Sequence, residues 1–395
     1  MTFLRRISTR RLLTLCALTL VVAIGATAVA VATSGEGSKP EPKPLASAVH
    51  EALTAPEVPG ISADVEFTNN LIDSSSFEGG DPILTGADGR LWASPADGGK
   101  LRLELQASPE LGGGNDSQLL VEGRDFELYD GTANVVYRGT LPAEKGEQGE
   151  PHGVPSVARI QTEIDRAGRH ADLSGAEPAS VAGKPAYTVS AAPAHDGGLL
   201  GNLELSWDAD NGIPLRGAVY AADSDSPVLE LKATDVSFEA VDPDVFEISA
   251  PADAKVVDLA PEPAGEHGKP REIVGAEAVA GAVDFDLTAP RSLAGLPRTG
   301  VRAIAVDGEQ AALVTYGKGL GGIAVIQSAS KPERPAAAED GAGELTLPKV
   351  AIGDVKGEEL DTALGSALWF SRGGVDYVVA GSVPPAAVEA AARGL

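Results

Sequence analysis

The sequence predicts an α+β protein: two β-rich units in series behind an N-terminal apolar segment. Three observations lead there. Segments of alternating apolar and polar residues recur along most of the chain, the signature of half-buried strands. Only a few stretches carry the four-residue apolar spacing of a helix. Pro-rich, charged stretches at 34–44 and 259–271 divide the rest into blocks of 45–258 and 272–395. The length of 395 residues exceeds what one hydrophobic core usually fills. Apolar residues make up 43% and aromatics only 4%, so Val, Leu, Ile and Ala must build the cores.

At the start, Arg5, Arg6, Arg10 and Arg11 flank an uncharged run from Leu12 to Ala32. About 20 apolar residues span a bilayer as a helix. Retention of the positive charge in the cytoplasm places the rest of the chain outside. Two readings of residues 1–33 stand. A signal peptide would be cut near Ala28-Val29-Ala30 or Ala30-Val31-Ala32. A retained anchor would hold the protein at the plasma membrane through residues 12–32. The lone cysteine, Cys16, follows Leu15, where a lipidation site wants a small residue, and reads as a lipid-facing side chain. It excludes a disulfide within the chain. The composition, rich in Ala, Gly, Pro and Asp and poor in Lys, looks like that of a high-GC bacterium.

After the 34–44 linker, Leu45, Val49 and Leu53 mark one face of a short helix. ADVEFTN puts Val65 and Phe67 on one strand face. LRLEL aligns Leu101, Leu103 and Leu105. DFELYDG alternates Phe126 and Leu128 with charge, turns at Asp130-Gly131 and pairs with ANVVYRG as a hairpin. Ser156 is placed to cap a second helix with Val157, Ile160, Ile164 and Ala167 on its apolar stripe. Strands then resume as PAYTVSA, NLELSWD (Leu203, Leu205, Trp207), PLRGAVY and VLELKATDVSFEA (Leu229, Leu231). DVFEISAPADAKVVDL closes the block. In 272–395, strand candidates are VDFDLTAP, RAIAVDG, QAALVTYG, GIAVIQS, LPKVAIG, ALWFSRGG and VDYVVAG. An acidic, Ala-rich loop covers 329–346, and Pro384-Pro385 opens a last helix running to Ala392.

The net charge of −26 disfavours nucleic acid as a partner, since phosphate contacts need basic patches. His50, His152, His170, His195 and His267 show no metal-ligand spacing, so no metal is expected. Gly317-Lys318-Gly319-Leu320-Gly321-Gly322 fits G-x-G-x-x-G. A phosphate-binding helix should follow it, but the strand-like Ile323-Ala324-Val325-Ile326 does, which makes it a hairpin turn. Asp208-Ala209-Asp210-Asn211-Gly212 lacks the spacing and terminal Glu of a calcium loop and also reads as a turn. No nucleophile, acid–base or P-loop motif emerges, so neither catalysis nor a cofactor is expected.

Three stretches, GRDFELYDGTANVVYRG, VAGKPAYTVSAAP running into LELSWDADNGIPLRGAVY, and VDPDVFEISAPADAKVV, resemble the LolA-like superfamily of envelope proteins, which includes LolA, LppX–LprG and RseB types. The likeness covers 45–258. The tail, with ALWFSRGGVDYVVAGSVP, resembles a small uncharacterised domain at the ends of actinobacterial and Bacillus envelope proteins. The resemblance implies a curved antiparallel half-barrel covered by helices 45–53 and 156–168, with an apolar cavity between, followed by a smaller α+β unit. It also implies a ligand of lipid or lipoprotein acyl chains, or alternatively an RseB-like sensor acting through an envelope protein partner. Candidate lining residues are Val65, Phe67, Leu101, Leu103, Leu105, Phe126, Leu128, Leu203, Leu205, Trp207, Leu229 and Leu231.

Overall fold

The computed structural model describes residues 39–72, 86–95, 99–107, 116–141, 154–195, 197–247, 251–259, 273–306, 309–330 and 347–395. The apolar run 12–32, residues 34–38 and 260–271 of the two linkers and most of the 329–346 loop lie outside these residues. Among the described residues no helix is long and apolar enough to cross a membrane.

The first sheet contains thirteen strands. They are β1 Ile61–Asn69, β2 Ala87–Ser94, β3 Lys100–Ala107, β4 Ser117–Glu122, β5 Asp125–Asp130, β6 Val135–Thr140 and β7 Ala171–Leu173, then β8 Glu177–Val181, β9 Lys184–Pro193, β10 Leu200–Asp208, β11 Pro214–Ala221, β12 Pro227–Ser237 and β13 Lys255–Leu259. Their order is β13-β6-β5-β4-β3-β2-β1-β12-β11-β10-β9-β7, with β8 on the same edge of β9 as β7. Every pairing is antiparallel except β13 on β6, which is parallel. The two ends of this order do not pair, so the sheet is an open half-barrel rather than a barrel. Register shifts at Asp64/Val65, Leu200/Asn202, Ser206/Trp207 and Val219/Tyr220 cluster in β1, β10, β11 and β12. Such bulges increase local twist and bend a sheet.

Two helices accompany this sheet. α1 (Leu45–Thr54) follows Pro44, and α2 (Val157–Ala167) is capped by Ser156, whose hydroxyl accepts the Arg159 N–H. The end of the first linker is not a free spacer. The Tyr187 hydroxyl donates to the Glu41 carbonyl (2.6 Å), Lys43 pairs with Glu51, and Lys43 bridges Ala176.

The second sheet contains β14 Ser292–Leu293, β15 Leu296–Val306, β16 Glu309–Tyr316, β17 Ile323–Ala329, β18 Lys349–Ile352, β19 Val355–Thr362, β20 Gly365–Arg372 and β21 Val375–Gly381. Its order is β14-β15-β16-β17-β21-β20-β19-β18, all antiparallel. Helices α3 (Ala276–Ala280) and α4 (Pro385–Arg393) pack on it, and Val279, Val388, Ala391 and Ala392 join its core. One expectation is corrected here: VDFDLTAP is not a strand. Its alternation does bury Val283, Phe285 and Leu287 against this core. Its Thr288, however, pairs with a side chain. Gln327, fully buried, accepts the Thr288 N–H (2.9 Å) and donates to the Thr288 carbonyl (2.7 Å). The neighbouring strand β17 already has β16 and β21 on its two edges, so no ladder position remains.

The two sheets touch. The Leu199 N–H donates to the Ser382 carbonyl (3.0 Å) and the Ala363 N–H to the Leu71 carbonyl (2.9 Å). Ala363 and Leu364, from the β19–β20 turn, pack against the first core. At Gly198 (φ +60°) a Cβ would stand 1.8 Å from the Ser382 carbonyl oxygen, so only glycine permits this approach.

Two hairpins carry alanine where the backbone wants glycine or asparagine. Ala182 (φ +51°) precedes Gly183 between β8 and β9, and Ala294 (φ +47°) precedes Gly295 between β14 and β15. Consecutive positive φ angles define the turn type for which Asn-Gly is the preferred pair. Left-handed backbone costs an L-residue about 1–2 kcal/mol, less for Asn. Ala182→Asn and Ala294→Asn should each therefore stabilise the protein by about 0.5–1 kcal/mol in denaturant melts.

Glu359 on β19 is 8% exposed, and its Oε1 has no hydrogen-bond partner among the described residues. Burial raises its pKa, and the negative charges of Glu389 and Asp361 add to this against the opposing Arg393. A carboxyl raised in the folded state costs nothing below its unfolded pKa of about 4.3. Stability then falls as pH rises from there through the folded pKa. Glu359→Gln should accordingly be more stable than wild type at pH 7, with the difference vanishing near pH 4.

Candidate functional site

The site is built by period-two alternation and register. Residues paired directly across strands share a face. Phe126 pairs Val121, and Val121 pairs Leu101. Leu128, Leu119, Leu103 and Leu91 form the next row. Leu105, Gly89 and Val65 form another. Phe67, Leu231, Gly217, Leu205 and Val189 run across five strands. Leu229, Val219, Leu203 and Ala191 lie beside them, and Trp207 pairs Tyr187. All twelve candidate residues therefore stand on one face of the half-barrel.

Their surroundings divide them. Val65, Phe67, Leu103, Leu105, Leu128, Leu229 and Leu231 are buried in a single cluster, with Leu101 and Phe126 half-buried against it. Trp207 belongs to a separate cluster with Tyr187, Ala176 and Ala48 of α1. Leu203 and Leu205 are 45% and 37% exposed. They lie between the two clusters, on the same strand face as Trp207. The result is an apolar stripe that is covered at one end and open in the middle of β10.

The helices cover less of this face than the resemblance implies. α1 seats Ala48 on Trp207 and Tyr187. α2 rides on α1 instead of on the sheet centre: the His50 Nδ1–H donates to the Pro155 carbonyl (2.9 Å), and Ile160 is the buried residue of α2. The β10–β11 turn fixes the end of α1. Asp208 Oδ1 accepts the N–H groups of Asp210 (2.9 Å) and Asn211 (3.0 Å), and Asn211 Oδ1 accepts that of Ile213 (2.9 Å). Gly212 (φ +73°) backs onto Ala52, leaving no room for a side chain. Burial raises the Asp208 pKa, opposed by the backbone bonds it accepts. DADNG is thus a structural turn. GKGLGG is likewise the β16–β17 hairpin loop. Among the described residues no group of three or more His, Cys, Asp or Glu side chains could hold a metal.

The reverse face of β10–β12 carries a polar network. Arg216 donates to Glu204 (2.6 Å), Tyr220 (2.6 Å) and Glu230 (2.5 Å), and Lys232 pairs with Glu66 (2.9 Å). Burial disfavours the Arg216 charge, but these bonds outweigh it and raise its pKa. The strand that carries the exposed leucines is held from behind. Sequence reading missed Val189, Ala191 and Val219, which flank those leucines. The signal was present, since Tyr187, Val189 and Ala191 alternate within PAYTVSA.

The open antiparallel half-barrel is the sheet architecture that the LolA-like resemblance implies; the helices cover only one end of its apolar face. No protein-family model matches the chain, and no curated protein matches it. Among solved structures, it is similar to the MucA/MucB complex of Pseudomonas aeruginosa, at 16% identity and a TM-score of 0.38, over 88% of this chain and 94% of that one. It is also similar to a putative outer membrane lipoprotein-sorting protein domain from Vibrio parahaemolyticus, at 12% identity and a TM-score of 0.24, over 52% and 96%. A third is a LolA superfamily protein from Nitrosomonas europaea, at 10% identity and a TM-score of 0.23, over 52% and 98%.

Proposed function

We propose that this chain is an extracytoplasmic envelope protein that binds a lipid or lipoprotein acyl chain along the inner face of its half-barrel. One observation carries the reading: Leu203 and Leu205 stay exposed on β10 between two buried clusters of the same apolar face. An acyl chain laid along them would extend that face, at about 0.8 kcal/mol per buried methylene. The ladder and the Arg216 network behind β10 keep the stripe in place, so little ordering cost falls on binding. The Arg-rich start and apolar run put the protein outside the membrane, by secretion or by an anchor at residues 12–32.

Native mass spectrometry of the protein from its own host tests this. An adduct of lipid mass is expected, and it should disappear in the double variant Leu203→Ser, Leu205→Ser. A wild-type spectrum without adduct, or an adduct unaffected by the two serines, contradicts the reading.

A second reading, a sensor acting through a protein partner, is favoured by the seam between the sheets. Ala363 and Leu364 pack on the first core and Ser382 bonds Leu199, next to β10, so the second unit is fastened to the half-barrel and both can face one partner. Capture of a defined envelope protein that needs both units, without lipid, would support it.

A further inference from the structure

The open stripe on β10 has two ends, and the second unit closes one of them. On the inner face Leu200, Leu203, Leu205 and Trp207 follow one another along this strand. At one end Ala48 of α1 covers Trp207. At the other end Leu200 is half-buried against the cluster that also receives Ala363 and Leu364. These two residues form the turn between β19 and β20, so they come from the second sheet.

Hydrogen bonds fix where this turn stands. The Ala363 N–H donates to the Leu71 carbonyl (2.9 Å), and the Leu364 N–H donates to the Thr362 hydroxyl oxygen (3.3 Å). The Ser382 hydroxyl donates to the Leu364 carbonyl (2.7 Å) and accepts the Leu199 N–H (3.1 Å). One serine side chain therefore links Leu364 to the residue that precedes Leu200. The ladder agrees: Leu203 pairs Val219, Val219 pairs Leu229, and Leu229 pairs Asn69. Leu71 lies just beyond Asn69, so the turn sits one row past Leu203.

The span between the two ends is set by the strand. At about 3.3 Å per residue Leu200 and Trp207 stand about 23 Å apart, and the bulges at Leu200/Asn202 and Ser206/Trp207 bring this to roughly 20 Å. An extended acyl chain advances about 1.2 Å per bond, as an extended polypeptide backbone does, so a palmitoyl or stearoyl chain fills this length.

We propose, resting on the acyl-chain reading above, that Leu364 of the second unit is the stop that sets the longest chain the stripe accepts. Chains up to this length lie wholly on β10, between Leu364 and Trp207. Longer chains meet the Leu364 side chain and must leave the face, so their extra methylenes return to water. The half-barrel supplies the apolar surface, and the second unit supplies the length limit.

The test uses the full chain and an equimolar mixture of the even-numbered saturated fatty acids from laurate to behenate. Native mass spectrometry reads which of them are retained. Retention should rise with length by up to about fourfold per methylene and reach a maximum at palmitate or stearate. Leu364→Ala removes the carbons beyond Cβ, leaves room for about two methylenes, and should move the maximum one member longer. Leu364→Phe reaches farther along the face and should move it one member shorter. Circular dichroism verifies that each variant folds. Retention without a maximum, or a maximum that stays in place in both variants, overturns the stop and leaves the acyl-chain reading standing. Retention of no fatty acid at all overturns both.

Discussion

Phe67→Ala should lower the stability of the half-barrel by about 3–5 kcal/mol, the range for an aromatic removed from a packed core. Phe67 is 3% exposed and sits in the row between Ala87 and Leu231, at the middle of the strand order. The paired measurement is Leu203→Ala and Leu205→Ala, which should each cost about 0.5 kcal/mol or less, because surface side chains rarely carry stability. Urea titration of the three variants checks this. A large loss at Leu205 would make it a core residue and remove the open stripe. A small loss at Phe67 would mean that the inner face is not packed.

The second large effect falls on the seam. Gly198→Ala places a methyl group where the Ser382 carbonyl stands and forces an L-residue into left-handed backbone. The backbone strain alone is about 1–2 kcal/mol, and the contact cannot be kept. The amides of Leu199 and Ala363 should exchange with solvent about tenfold faster or more, since their acceptors lie across the seam. Val325, in the centre of the second sheet, should keep its protection. Unchanged exchange at Leu199 and Ala363 would show that the seam does not depend on this glycine.

The candidate site shows where sequence reading succeeds and stops. Three Leu-Glu-Leu triplets occur, at 103–105, 203–205 and 229–231. Period-two alternation puts the leucines of each on one strand face, and register then places all three on the same side of the sheet. Locally they are equivalent. Leu103, Leu105, Leu229 and Leu231 are nevertheless buried, whereas Leu203 and Leu205 are not. What covers a strand is decided by distant chain, and no local pattern carries that information. The same limit explains other differences. β19 (VKGEELDT) escaped notice because Lys356, Glu358, Glu359 and Asp361 mask the buried Gly357 and Leu360. β13 pairs parallel to β6 across more than a hundred residues, which no turn signal announces. VDFDLTAP has strand alternation, but a buried glutamine occupies the place of a partner strand. Elements whose cause is local were legible: the Ser156 cap of α2, the Asp130-Gly131 turn, and the Asn211-Gly212 turn.

The stripe can be interrogated from inside the protein. The chain has three tryptophans, so Trp92→Phe with Trp369→Phe leaves Trp207 as the sole fluorophore. Its side chain lies on the same strand face as Leu205, two residues or about 7 Å along β10. A fatty acid brominated along its chain, which quenches indole fluorescence at close range, should quench Trp207 saturably. The effect should vanish when Leu203 and Leu205 are both serine. If the brominated chain leaves Trp207 emission unchanged at every concentration, no acyl chain rests on β10, and the account of this face as a lipid site is wrong.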